Sequence, residues 1–91
     1  MSKIDIRRKH GQSQKAAKTA VDKTAAAIAK KFGLQSSWDG DTLHFERSGV
    51  KGKIAVSKTE VHVTAELGFL VGALKPMIET EIERQLDENF G

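Results

Sequence analysis

The chain has 91 residues, with 15 Lys or Arg against 12 Asp or Glu for a net charge of +3, and it has no cysteine. That length makes one domain, residues 1–91, with room for a single two-layer core. Without cysteine there is no disulfide framework, no thiol nucleophile and no cysteine-ligated zinc or iron–sulfur site, and a reducing compartment fits.

The charge is unevenly placed. Residues 1–34 carry nine cations against Asp5 and Asp22, whereas residues 76–91 carry five acids against Arg84. Such polarity either draws an anionic partner to the basic half or brings the two terminal segments together in the fold, and we favour the second reading. The opening Met1-Ser2-Lys3-Ile4-Asp5 is polar, with no apolar stretch of the kind that forms a secretory signal, so the expected location is cytoplasmic.

Lys3 to Lys9 sets Ile4 and Ile6 on one side and Lys3, Asp5, Arg7 and Lys9 on the other, the period of a half-buried strand. After a turn at His10-Gly11-Gln12, Ser13 is a predicted N-cap for an alanine-rich helix that runs to Lys31 or Phe32 and stops at Gly33. Its apolar members Ala17, Ala20, Val21, Thr24, Ile28 and Phe32 recur every three or four residues. Lys15, Lys18, Lys23 and Lys30 lie towards the opposite side and form a candidate anion-attracting face.

From Leu34 the period becomes two. Four strands are predicted, Leu34–Trp38, Thr42–Arg47, Val50–Ser57 and Glu60–Leu67, separated by Asp39-Gly40-Asp41, Ser48-Gly49 and Lys58-Thr59. Two-residue loops at the last two sites would set Phe45 opposite Gly52, Leu43 opposite Ile54, Val56 opposite Val61 and Ile54 opposite Val63, all on one face. The other face collects His44, Glu46, Lys51, Lys53, His62, Thr64 and Glu66 and is expected to be wet. A final helix over about Ala73–Phe90 sets Leu74, Ile78, Ile82, Leu86 and Phe90 at spacings of four, with Met77 beside them and Pro76 in the first turn. Glu79 and Glu81 suit the positive end of that helix, and Asp87 and Glu88 at its other end predict fraying. The result is an α+β fold of two layers in the order βαββββα, a five-stranded antiparallel sheet with both helices on its apolar face. Nothing local fixes where the first strand joins the sheet.

The uncharged run Leu67-Gly68-Phe69-Leu70-Val71-Gly72-Ala73-Leu74 is far short of the roughly 20 apolar residues that span a bilayer. The strand and helix periods assign Leu67 and Leu74 to the core. Phe69, Leu70 and Val71 belong to neither period, so they either close one end of the core or form a hydrophobic contact surface. His44 and His62 fall one whole strand apart, about 10 Å, which separates them as metal ligands. There is no G-x-S-x-G motif and no phosphate-binding glycine loop, so no catalytic residue, metal site or cofactor is expected. The basic set has few aromatic partners, since the chain has no Tyr and its Trp and Phe residues mostly follow the buried pattern, so no specific nucleic acid is expected.

Trp38-Asp39-Gly40-Asp41-Thr42-Leu43-His44-Phe45, Ser48-Gly49-Val50-Lys51-Gly52-Lys53-Ile54, Leu67-Gly68-Phe69-Leu70 and Ile78-Glu79-Thr80-Glu81-Ile82-Glu83 follow one another at family-like spacing. With the opening Ile4-Asp5-Ile6 and His10-Gly11, the chain resembles the polyhydroxyalkanoic acid system protein family, small bacterial proteins associated with polyhydroxyalkanoate granule genes. The resemblance implies a role around storage-polyester granules and supplies no reaction. The element order is also similar to a shortened helix-grip fold, in which a sheet wraps a C-terminal helix.

The expected function is therefore a non-enzymatic accessory protein of polyhydroxyalkanoate metabolism or granules. It would bind a granule surface, a granule-associated protein or a second subunit as a homodimer. The alternative is a carrier of a small acyl or lipid-like ligand, held between the sheet and the final helix by Trp38, Phe45, Leu67 and Ile78.

Overall fold

A computed structural model describes residues 2–69 and 71–90. Among these are β1 (Ser2–Lys9), α1 (Gln14–Phe32), β2 (Gln35–Asp39), β3 (Thr42–Arg47), β4 (Val50–Val56), β5 (Glu60–Leu67), a 3-10 turn (Gly72–Leu74) and α2 (Lys75–Phe90). The predicted α+β order is the observed one. Ser13 caps α1, its hydroxyl oxygen accepting the Ala16 N–H at 3.1 Å, and Gly33 ends it in the left-handed region at φ 69 that a side chain would disfavour.

The sheet is antiparallel throughout, in the order β1-β5-β4-β3-β2. Its hairpins hold the expected register, with Phe45 opposite Gly52, Leu43 opposite Ile54, Ile54 opposite Val63 and Val56 opposite Val61. β1 takes the edge beside β5, from Ser2 opposite Leu67 to Lys9 opposite Glu60. That register sets Ile4 against Ala65 and Ile6 against Val63, so the apolar side of β1 continues the apolar face of the meander. His10 secures the exit from β1. Its Nε2–H donates to the Ser57 carbonyl at 2.9 Å, Nδ1 accepts the Gln12 N–H, and the ring lies 6.0 Å from that of Phe90.

Both helices cover the face that carries Leu43, Ile54, Val61, Val63 and Leu67. α1 contributes Ala17, Val21, Ala25 and Ile28 to the core, and α2 contributes Ile78, Ile82 and Leu86. Between the helices lies a small polar seam, in which the buried Thr24 hydroxyl donates to the Ala20 carbonyl and accepts from Asn89 Nδ2 at 3.0 Å.

The opposed charges of the two ends of the chain meet here. Arg8 of β1 pairs with Asp87 of α2, and Lys31 of α1 pairs with Glu81 of α2 at 3.3 Å. Asp87 thereby ties the last turn of α2 to the sheet edge. One expectation about α2 is corrected: neither Glu79 nor Glu81 lies in its first turn, which holds no acid, and Glu81 is buried, 6% exposed, between the helices. Leu74 is also corrected: it closes the 3-10 turn, outside the four-residue stripe of α2, and is 37% exposed.

Candidate functional site

The joint between β5 and α2 is built on turns rather than on a regular element. β5 ends at Leu67, and the Gly68 N–H donates to the Gly49 carbonyl at 2.7 Å, fastening the joint to the β3–β4 turn. The Val71 N–H then donates to the Gly68 carbonyl at 3.1 Å, and the Leu74 N–H to the Val71 carbonyl at 3.0 Å. Val71 is half-buried and packs on the core, with its side chain over Gly49.

These contacts divide the apolar run. Leu67 and Val71 close the end of the core, whereas Phe69 points away from it and is 94% exposed. Leu74 in the 3-10 turn and Met77 in the first turn of α2, 54% exposed, are further accessible apolar groups. Leu70 lies outside the described residues. An exposed Phe forgoes about 1.5–3 kcal/mol that burial would supply, which makes Phe69 the most available apolar group at this end of the molecule.

The four α1 lysines do not act alike. Lys15, Lys23 and Lys30 are exposed. Lys18 instead donates to the Gly40 carbonyl at 3.0 Å, pairs with Asp41 at 3.3 Å and sits 5.0 Å from the centroid of the Trp38 ring. It joins α1 to the β2–β3 hairpin, and Trp38 completes the joint by donating its Nε1–H to Asp22 at 3.1 Å.

The outer face of the sheet is polar, as its alternation predicts, and carries an open trough of about 810 Å³. Across it runs a row of alternating sign, Glu46, Lys51, Glu66 and Lys3, on four neighbouring strands. His44 and His62 stand on β3 and β5 with β4 between them. His62 Nε2 lies 2.7 Å from an Asp5 carboxylate oxygen, a contact that no sequence pattern announced because it depends on where β1 joins. No group of three or more potential metal ligands occurs among the described residues.

A cavity between sheet and helices, lined by Phe45, Leu67 and Ile78 among others, has a volume of about 20 Å³. That volume suits one water molecule and is too small for an acyl chain. Trp38, the fourth residue expected to line such a pocket, is held by Asp22 at the other end of the sheet.

Among the described residues, the one strongly perturbed carboxyl is Glu81. A hydrogen bond from Arg84 at 2.6 Å, helped by Gln85 and Lys31 and opposed by burial, lowers its pKa from 4.5 to about 2. It is a structural charge, held by Arg84, Gln85 and Lys31. No helix among the described residues is long and apolar enough to cross a membrane.

Comparison with known proteins matches the chain over residues 4–90 to the family described as "Putative polyhydroxyalkanoic acid system protein". No curated protein and no solved structure matches the chain. Since the match takes in nearly every residue, from the core of β1 to the end of α2, the chain belongs to the polyhydroxyalkanoic acid system protein family.

Proposed function

We propose that this protein is a non-enzymatic, cytoplasmic accessory factor of polyhydroxyalkanoate metabolism or granules, and that it works by laying the β5–α2 joint against a hydrophobic surface. The surface is the polyester itself or an apolar patch on a granule-associated protein. The observation that carries this reading is Phe69, an aromatic side chain 94% exposed on a joint anchored through Gly68 to the β3–β4 turn. A large apolar group held out on hydrogen-bonded backbone costs little conformational entropy to dock. The family, described as that of the polyhydroxyalkanoic acid system, supplies the setting.

Co-sedimentation with isolated granules tests the reading. Phe69→Ser and Met77→Ser remove exposed atoms, so both variants should keep the wild-type circular dichroism and Tm. Phe69→Ser should lower partitioning onto granules about tenfold or more, the loss expected for one buried aromatic side chain. Equal partitioning of wild type and Phe69→Ser would overturn the proposal. Repeating the assay on protein-free polyester particles separates direct surface contact from contact with a granule protein.

A further inference from the structure

The two free edges of the sheet differ in kind. β1 presents Lys3, Asp5, Arg7 and Lys9 at its exposed positions, lies against α2 and is tied to it through Arg8 and Asp87. β2 is Gln35-Ser36-Ser37-Trp38-Asp39, with no cation, no proline and no interruption in its pairing with β3. Sheet edges that must stay single are guarded by charge, proline or bulges. β1 is guarded in this way by charge along its length, whereas β2 carries a single charge, Asp39 beside the turn.

The backbone of β2 specifies how it can be extended. Gly40, at φ 62, takes the first place of a two-residue loop, so Asp39 and Thr42 form the pair next to the turn. Alternation along an antiparallel ladder then commits Asp39, Ser37 and Gln35 to β3 and turns the N–H and C=O groups of Ser36 and Trp38 outward.

We infer that β2 is a homodimer interface. A second copy of this chain pairs with it antiparallel about a two-fold axis at Ser37, making one continuous sheet across both copies. In that register Ser36 of each copy exchanges both backbone hydrogen bonds with Trp38 of the other, which satisfies every outward group of those two residues. Ser37 meets Ser37, and the Gln35 amide meets the Asp39 carboxylate, so no like charges are opposed. A two-fold at Ser36 would need the Leu34 N–H, which already donates to the Ala29 carbonyl at 2.9 Å. One at Trp38 would need Gly40, which has left the strand for the turn. The interface is short, so the association is weak and concentration-dependent. It is independent of the granule reading, because it uses a different edge of the molecule and is measured without polyester.

Sedimentation over about 1 µM to 1 mM should show the mass rising from 10.0 kDa towards twice that value. Ser36→Pro removes an outward N–H without touching the β3 ladder, and Ser37→Lys sets two ammonium groups face to face. Each should weaken association at least tenfold while leaving circular dichroism and Tm unchanged. Because the chain has no cysteine, Ser37→Cys supplies a single thiol at the axis, where the close spacing of the paired strands suits a disulfide. Gln35→Cys is the register control, since its two thiols would lie about 13 Å apart. Mild oxidation should cross-link Ser37→Cys and leave Gln35→Cys monomeric. A wild type that stays monomeric throughout, equal cross-linking of the two cysteine variants, or undiminished dimerisation of Ser36→Pro would each overturn the inference.

Discussion

At the scale of single residues, the tightest constraint in the sheet is Gly52 beneath the Phe45 ring. A Cβ added at Gly52 would stand 2.4 Å from Phe45 Cε2 and 2.9 Å from the Thr64 carbonyl oxygen. Glycine inside a strand ordinarily costs stability, so alanine would be the better residue if space were the only missing ingredient. Here the clash decides the sign. Gly52→Ala should destabilise by about 1–3 kcal/mol, the usual cost of overpacking, and Phe45→Leu in the same chain should return part of it. Thermal melts of the single and double variants check this. If Gly52→Ala matches or exceeds wild type, the ring is not seated on the glycine. Phe69 shows the converse: the same residue type, fully accessible, is expected to be replaceable at no cost in Tm and at a cost only in contact.

At the scale of elements, the sequence was legible wherever the signal was local. Ser13 and Gly33 bounded α1, and short loops set the hairpin registers of β3, β4 and β5. What remained hidden depended on partners distant in the chain. The place of β1 rests on its match to β5, and the burial of Glu81 on Lys31, fifty residues away. In the candidate site, Phe69 could be recognised as unclaimed by either period. The fate of Val71 could not, because it rests on the β3–β4 turn, and Leu74 fell to a 3-10 turn that the four-residue stripe ran straight through. Glu81, bonded first to Arg84 of its own helix and also to Lys31 of α1, makes a pH prediction. Its carboxyl has a lower pKa folded than unfolded, so its stabilising effect is complete above about 4.5 and fades as pH falls towards about 2. Across that window the Tm advantage of wild type over Glu81→Gln should shrink to nothing. A gap that stays constant with pH would show that Glu81 does not stabilise the fold as an ion pair with Arg84 and Lys31.

At the scale of the whole molecule, the two oppositely charged chain ends are joined by two ion pairs, Arg8 with Asp87 and Lys31 with Glu81, while Lys15, Lys23 and Lys30 stay exposed on α1. The same long-range closure governs how the fold is reached in time. β2 to β5 can assemble hairpin by hairpin, whereas β1, the first strand of the chain, must wait for β5, with Lys9 meeting Glu60 and Ser2 meeting Leu67. Interactions of β1 should therefore form late. Ile4→Ala, at a fully buried site, should cost about 2–5 kcal/mol and appear mainly as faster unfolding, with the folding rate nearly unchanged in stopped-flow measurements. A matching loss in folding rate would place β1 in the nucleus instead. Until β1 arrives, β5 is itself an uncovered edge bearing Val61, Val63, Ala65 and Leu67, far more adhesive than the Lys-rich and Arg-rich strand that finally caps it. The first strand thus acts as a latecoming shield, and refolding yield should fall as protein concentration rises.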